Sequence, residues 1–427
     1  MLKELPSLIN ALGQYSLLVG VEQLTPLQQE NFCAQLKMFA PLLKEQKRLL
    51  TAHSTHSTPL PFSSAEPPQD FALGEALVAQ GKVGCLILAG GQGTRLGFAG
   101  PKGMVPVSCV RHKSLFQHLA ERVNAAAHWA NKEIPVAIMT SPVNHGETTA
   151  FFKKNAFFGL RPSFFEQKEL PFIDEQGDWL LERPGELAMG PDGNGHALQL
   201  FFSTGIWHKW KEKGIEYVNL IFVDNALADP IDRELVGFVK RSGFDAALKA
   251  IKRVSPTEMM GVLAQKEGKL CVVEYSEIPP YAPEFTLSST GMFCVSMDFI
   301  HFLCHELKAE FPLHLAKKTA LIANETKRVG KCERFLFDLL NYTRSSGALL
   351  VPREKHYAPL KNAEGDKSLK TVQEALLSYD QERYFFLTGK RANSLLFELS
   401  PAFYYPSESL KKKLRDHPLQ EGEYVDL

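Results

Sequence analysis

The chain has 427 residues, more than one ordinary core fills, so a large central domain with smaller appendages is expected. Lysine plus arginine and aspartate plus glutamate number 48 each, which leaves no overall cationic field for nucleic acid or an acidic membrane surface; a small anionic substrate needs a local basic site. The seven cysteines are scattered, odd in number and never spaced as CxxC, which argues against a disulfide framework and a zinc site and fits a reducing, cytoplasmic setting.

The opening residues show no basic region leading into an unbroken apolar core, and no stretch of about 18 apolar residues follows, so neither export nor membrane insertion is expected. Phe32, Leu36, Phe39, Leu42 and Leu43 recur at helical spacing and predict a helical N-terminal appendage. The Ser/Thr/Pro-rich stretch TAHSTHSTPLPFSSAEPP, 51–68, reads as a linker in which His53 and His56 are solvated bystanders; appendage and linker together occupy 1–82. Strands are predicted at 84–90, 135–141, 218–225 and 246–254, and helices near 114–131, 195–213 and 231–242. That alternation predicts an α/β three-layer sandwich on a mostly parallel sheet, which a hairpin over 260–278, turning at Lys266 to Gly268, makes mixed. The central domain so defined runs 83–350. Beyond it the pattern is irregular, which predicts a small C-terminal lobe, 351–427, and no internal repeat is found.

The segment LILAGGQGTRLGFAGPKG, 86–103, leaves the carboxyl end of a short apolar run, Cys85, Leu86, Ile87 and Leu88, which reads as a strand buried on both faces. Ligands bind where such loops leave open α/β sheets. Gly90, Gly91, Gly93 and Gly97 are free to adopt positive φ and lack a Cβ, so backbone N–H groups can approach an anion. The spacing GxGxxxG does not match the dinucleotide fingerprint, and Lys102 is followed by Gly103 where a Walker loop has Ser or Thr. What remains is a glycine loop with an arginine fork, Arg95, and a lysine, Lys102, stiffened by Pro101, a combination suited to a polyphosphate. A tight turn with solvated basic residues is the alternative, and the position after a buried strand weighs against it.

LAGGxGTRLG followed by PKG resembles the signature of the UDP-sugar pyrophosphorylases, and the likeness is nearest to their eukaryotic-type UDP-N-acetylglucosamine branch. FFEQKELP (164–171), MGPDGNGH (189–196), FVDNALADP (222–230), SPTEMMGVLAQKEGKLCVVEYSEI (255–278), HLAKKTA (314–320), KCERFLFDLL (331–340) and YAPLKNAEG (357–365) resemble further family segments in family order. The resemblance implies a nucleotide-diphospho-sugar transferase fold and a uridylyltransferase reaction. A hexose 1-phosphate oxygen attacks the α-phosphorus of UTP, giving a UDP-sugar and pyrophosphate. It further implies Leu88, Gly90, Gly91, Gly93 and Thr94 along the nucleotide, Arg95 on the departing phosphates, Lys102 near them, Gln167 reading the uracil edge, and Gly193 with Asn194 closing over the uridine. Asp224 ends the apolar strand of IFVDN; read alone it either shares Mg2+ or another divalent cation with phosphate oxygens or caps the next turn with Asn225, and the resemblance favours the metal. Glu274 matches a glutamate that binds sugar hydroxyls, with Glu277 close enough to be confused with it. Lys361 matches a lysine reaching the phosphates from the far side, and its place after the core suggests arrival when a lobe closes. Lys317 and Lys318 read equally as phosphate contacts or as a solvated helix face.

Two stretches depart from the family pattern. SSTGM places Ser289 and Met292 where the family carries asparagines, so Met292 occupies a sugar-site position with a thioether that donates nothing. His196 stands where the N-acetylglucosamine branch has glycine, a sign of altered sugar handling or of simple space filling, and the C-terminal lobe is short. N-acetylglucosamine 1-phosphate is the first expectation for the sugar and glucose 1-phosphate the second. A non-catalytic UTP- or UDP-sugar-binding regulatory protein is the reading of another class. Neither nucleic acid nor membrane is an expected partner.

Overall fold

The computed structural model describes residues 4–51, 57–392 and 394–427; His53 and His56 lie outside the described residues. The chain folds as two compact units, each assembled from separated segments: Met1–His56 with Gln167–His196 and Glu310–Leu339, and Ser57–Glu166 with Ala197–Ala309 and Leu340–Leu427.

The larger unit is built on an 11-stranded sheet. Its main path runs Ala65–Glu66, Ser346–Leu350, Ala246–Lys252, Leu287–Ser296, Tyr217–Phe222, Val83–Leu88, Val136–Thr140 and Ser163–Glu166. Every neighbouring pair on that path is parallel except those made by Leu287–Ser296, which runs antiparallel to both of its neighbours. The hairpin Val262–Lys266 with Lys269–Val273 branches from the same sheet, as its sequence predicts. All six residues of Val83–Leu88 and all five of Val136–Thr140 are buried, so layers cover both faces and the three-layer α/β sandwich follows.

Several helices start at a side-chain cap. The Ser114 hydroxyl accepts from the Gln117 N–H at 3.1 Å to start Leu115–Ala130, whose Leu115, Phe116, Leu119, Val123 and Ala126 line the core. Asp232 caps Arg233–Ser242 in the same way and Gly243, left-handed, ends it. The single helix predicted near 195–213 is two, Ala197–Ser203 and Ile206–Glu212, because Gly205 at φ +78° turns the chain between them.

The expected irregularity after 350 gives way to a 20-residue helix, Leu369–Thr388. Its buried positions, Val372, Leu376, Asp380, Tyr384 and Leu387, do follow helical spacing, but an aspartate and a tyrosine interrupt the apolar stripe. Val372 and Leu376 join the main core, while Tyr384 and Leu387 join Phe397, Leu399, Phe403, Leu414 and Val425 in a small core of the C-terminal region.

In the smaller unit the predicted N-terminal helix is Pro26–Thr51, preceded by Glu4–Leu12. Phe32, Leu36, Phe39 and Leu43 pack with Trp179, Ile173 and Leu313, so the N-terminal helices share a core with the two later segments. Trp179 is pinned by two glutamines: its indole donates to Gln46 Oε1 at 2.8 Å and its backbone N–H to Gln14 Oε1 at 2.7 Å. Lys317 and Lys318 lie exposed on the strand His314–Ile322 of an antiparallel hairpin, not on a helix face.

In Leu287–Ser296 the register against Ala246–Lys252 shifts between Leu248 and Ala250, opposite a Gly291 at φ +79°. A Cβ at Gly291 would meet the Phe222 ring at 2.2 Å. Gly291→Ala is therefore expected to destabilise the fold by about 1–3 kcal/mol from overpacking alone. An unchanged urea midpoint in the variant would show that the bulge absorbs the methyl group.

Candidate active site

The glycine loop doubles back on itself. The Gly93 N–H donates to the Gly100 carbonyl at 2.9 Å and the Lys102 N–H to the Gly91 carbonyl at 3.1 Å, while Gln92 and Pro101 form an antiparallel bridge. Asn144, fully buried at the end of the next parallel strand, steadies the base of the loop by donating to the Ala89 carbonyl at 2.9 Å and to that of Gly91 at 3.3 Å. Thr94 and Arg95 are exposed at the tip, Gly90 and Lys102 are half-buried, and Leu88 is buried where the strand ends.

The glycines serve different needs from those expected. Of Gly90, Gly91, Gly93 and Gly97, only Gly97 has positive φ, at +69°. Gly93, at φ −84°, is required by close approach, since a Cβ there would meet Phe98 at 2.9 Å. A Cβ at Gly91 would meet nothing within 4 Å, so no packing within the protein demands glycine there.

Asp224 follows the strand Tyr217–Phe222, adjacent to the loop's own strand. The turn it begins is held by its neighbour: Asn225 Oδ1 accepts from the Ala358 N–H at 2.9 Å and its amide donates to the His356 carbonyl at 2.8 Å. Backbone bonds extend this seam, Ala226 N–H to the Ala358 carbonyl at 3.1 Å and Leu360 N–H to the Asp224 carbonyl at 2.8 Å. Asn225 thus does the turn chemistry, and the Asp224 carboxylate faces two lysines, Lys102 Nζ at 3.8 Å and Lys361 Nζ at 4.0 Å. Lys361 already stands at the site, without the lobe closure its place in the sequence suggested.

Burial pushes the Lys102 ammonium below its ordinary value, Asp224 opposes that shift, and the like charges of Lys361 and Arg95 add to it. Two lysines therefore face one carboxylate, and the charge of Arg95 acts on Lys102 from the loop tip. Burial and Asp224 together hold the Tyr357 phenol well above its ordinary value. Neither lysine is within hydrogen-bonding distance of Asp224, so its oxygens retain lone pairs for a further partner. Among the described residues no group of three or more His, Cys, Asp or Glu side chains forms a metal cage. A single carboxylate is the donor set suited to a divalent cation that takes its remaining ligands from phosphate and water. Burial pushes the Cys109 and Cys332 thiols up to about 11 and that of Cys304 up to about 12, which leaves these three poor nucleophiles.

Glu274 is half-buried in the same unit, directly after the strand Lys269–Val273, and its carbonyl accepts from the Glu277 N–H at 2.9 Å. Met292 does not line a cleft. It is 2% exposed and packs in the main apolar core with Cys294, two residues on along the same strand.

Gln167, Gly193 and Asn194 belong to the smaller unit. Gln167 is 7% exposed. Gly193, at φ +85°, lies against Arg334, whose carbonyl would be 2.5 Å from a Cβ, and Asn194 Oδ1 accepts from the Leu336 N–H at 2.7 Å. This turn is locked by buried charge: Asp192 receives Arg334 Nη1 at 3.0 and 3.2 Å and His196 Nδ1 at 2.6 Å. His196 is thus a partner of Asp192 rather than space filling.

Sequence reasoning missed Asn144 and Tyr357, and it read Asn225 only as a partner of Asp224 in capping the next turn. Only the asparagine in SPVNHG, just before a predicted helix, carried a readable signal, that of an N-cap.

A family model described as UTP–glucose-1-phosphate uridylyltransferase matches residues 37–420. The chain is 30% identical to UDP-N-acetylhexosamine pyrophosphorylase-like protein 1 of Xenopus tropicalis, with 97% of this chain and 94% of that one covered. It is likewise 30% identical to the UDP-N-acetylglucosamine pyrophosphorylase of Saccharomyces cerevisiae, with 94% of each covered. Among solved structures it superposes on the uridine diphosphate N-acetylglucosamine pyrophosphorylase of Trypanosoma brucei, in complex with an inhibitor, with a TM-score of 0.82, covering 99% of this chain and 97% of that one at 22% identity. At that identity the likeness speaks for the fold.

The two glycines separate packing from ligand demands. Gly93→Ala is expected to lose about 1–3 kcal/mol in urea denaturation, since Phe98 must move. Gly91→Ala should stay within about 0.5 kcal/mol of the parent. Equal losses would mean that packing explains both positions.

Proposed function

The chain belongs to the UTP–glucose-1-phosphate uridylyltransferase family and is a nucleotidyltransferase, and from that premise we propose that it joins UTP to N-acetylglucosamine 1-phosphate, releasing UDP-N-acetylglucosamine and pyrophosphate. The observation that carries the reading is the convergence of Lys102 and Lys361 on Asp224 beside the glycine loop. The choice of sugar rests on the relative named for N-acetylglucosamine that matches 94% of this chain. Glucose 1-phosphate is the second reading, favoured by the family's own description.

The substrate phosphate is itself the nucleophile, so the protein needs to align two anions and to stabilise charge that grows on the α-phosphate and on departing pyrophosphate. In this reading Leu88, Gly90, Gly91, Gly93 and Thr94 border the nucleotide and Arg95 takes the leaving phosphates. Lys102 and Lys361 flank the reacting phosphates, and their charges count for more there because the site is partly withdrawn from water. Two unit charges about 4 Å apart interact by ~4 kcal/mol at an effective dielectric near 20, so a polyanion gains substantially from three such cations. Gln167 offers both donor and acceptor to the uracil edge, Gly193 and Asn194 close over the uridine, and Glu274 accepts from sugar hydroxyls. Asp224 would hold Mg2+ or another divalent cation, which supplies charge neutralisation at the phosphates. Met292 has no part in this reading. Retention of Arg95, Lys102, Asp224 and Lys361 weighs against a non-catalytic binding protein. Seven scattered cysteines, odd in number and never spaced as CxxC, fit a cytoplasmic protein. No helix among the described residues is long and apolar enough to cross a membrane.

Pyrophosphate release with UTP and Mg2+ should be fastest with N-acetylglucosamine 1-phosphate among a panel that includes N-acetylgalactosamine, glucose and galactose 1-phosphates, and should stop on exhaustive chelation. A faster rate with glucose 1-phosphate would reassign the sugar; silence with all four despite UTP binding would favour the non-catalytic reading. The lowered Lys102 value has its own consequence. As pH rises through it the free enzyme loses a cation, so kcat/KM for UTP should fall on the alkaline side, and Lys102→Arg, whose guanidinium stays charged, should flatten that limb. An identical alkaline limb in Lys102→Arg would assign the titration to another group.

A further inference from the structure

Lys361 is 45% exposed along its side chain, so packing of its own stem does not place it. Its backbone does. The Lys361 and Asn362 N–H groups both donate to the Lys367 carbonyl, at 2.7 and 3.1 Å, and the Asn362 amide donates to the Asp366 carbonyl at 2.7 Å, which closes a tight loop just beyond the lysine. Lys367 holds that loop in left-handed backbone, φ +59°, a conformation costing a non-glycine residue about 1–2 kcal/mol.

What anchors Lys367 is a carboxylate from elsewhere in the same unit. Glu258 lies in SPTEMMG with its side chain 6% exposed, and the ammonium of Lys367, whose side chain is 12% exposed, is 3.8 Å from its Oε1. The same carboxylate receives Arg353, through Nη1 at 3.2 Å to Oε2 and through Nη2 to Oε1. It also accepts from the Val254 N–H at 3.2 Å, and the Glu258 carbonyl accepts from Arg253 Nη2 at 2.9 Å. Arg353 and Lys367 bracket the segment that bonds to Asp224 and Asn225 at its middle. One buried side chain therefore ties down both ends of that segment.

We propose that Glu258 is a positioning residue for the transfer reaction, clamping residues 353 and 367 so that Lys361 stands at the reacting phosphates. The inference rests on the reading that places Lys361 at those phosphates. Glu258 touches no substrate in it and acts through the lysine alone. Displacing a reacting group by about 1 Å costs up to ~10²-fold in rate, the scale on which a released clamp should register.

The test is a double-variant cycle on kcat for uridylyl transfer with UTP and the best sugar 1-phosphate from the panel. Lys361→Ala is expected to slow turnover by about 10²-fold, and Glu258→Gln by about 10-fold or more. Glu258→Gln/Lys361→Ala should be no slower than Lys361→Ala alone, because a clamp has nothing to position once the ammonium is gone. A carboxylate that merely supports the fold would slow the double variant further, by the product of the two losses, and that result overturns the proposal. Lys367→Met tests the other end on a more exposed residue and decides the matter where Glu258→Gln does not fold: it should repeat the non-additivity, and Lys367→Arg should restore most of the rate. Full turnover in Glu258→Gln and Lys367→Met beside a slow Lys361→Ala would overturn the clamp alone. Full turnover in Lys361→Ala would overturn the reading beneath it as well.

Discussion

The site depends on one seam, the hydrogen bonds that lace Asp224, Asn225 and Ala226 to residues 356–360. A parallel sheet delivers its loops to one end, but it does not fix where a loop more than a hundred residues away will lie. The Asn225 side chain solves this by behaving as a short piece of backbone, accepting from one peptide and donating to another. With the turn satisfied by asparagine, the preceding aspartate is released from structural work, and its carboxylate is left to face Lys102 and Lys361. Division of labour between adjacent residues is what turns the end of a core strand into a charged site.

That site is electrostatically unbalanced in the free protein. Lys361 and Arg95 both repel Lys102, and burial adds to the cost, which is why the Lys102 ammonium lies below its ordinary value. Such an arrangement is costly for the fold and useful for binding, because a polyanion brings compensating charge. The surrounding structure absorbs the cost with bonds that do not depend on the ligand: the doubled glycine loop, Asn144 beneath it, and the Asn225 seam. Rigidity there also means that little reorganisation is needed when charge develops during reaction.

Much of this was legible in the sequence, and what was missed shares a cause. Buried strands such as Val83–Leu88 announce themselves as continuous apolar runs, and the hairpin at Lys266 to Gly268 by its turn residues. The glycine loop with Arg95 and Lys102, and Asp224 at a strand end, stand out because chemistry needs rare residue types at fixed spacing. Leu369–Thr388 was not legible, since Asp380 and Tyr384 occupy its inward stripe and periodicity counted on apolar residues alone passes over them. Met292 reads as a site residue when aligned against a family asparagine, whereas in the fold its side chain is buried in the main core, which position in a motif does not reveal. Glu258 and Asn225 act through partners about a hundred or more positions away, which no local pattern encodes.

The smaller unit shows the same logic with different materials. Its segments come from three parts of the chain, so apolar packing alone leaves the register of one against another weakly specified. At the turn carrying Gly193 and Asn194, register is set by Asp192, gripped by Arg334 and His196, with Gly193 and Gly195 pressed so close to Arg334 that no side chain fits. A buried ion pair tolerates less displacement than a methyl contact, because a shift of one residue strands a charge without a partner. His196, where the family pattern has glycine, is the local partner of the carboxylate that Arg334 grips from 142 positions downstream.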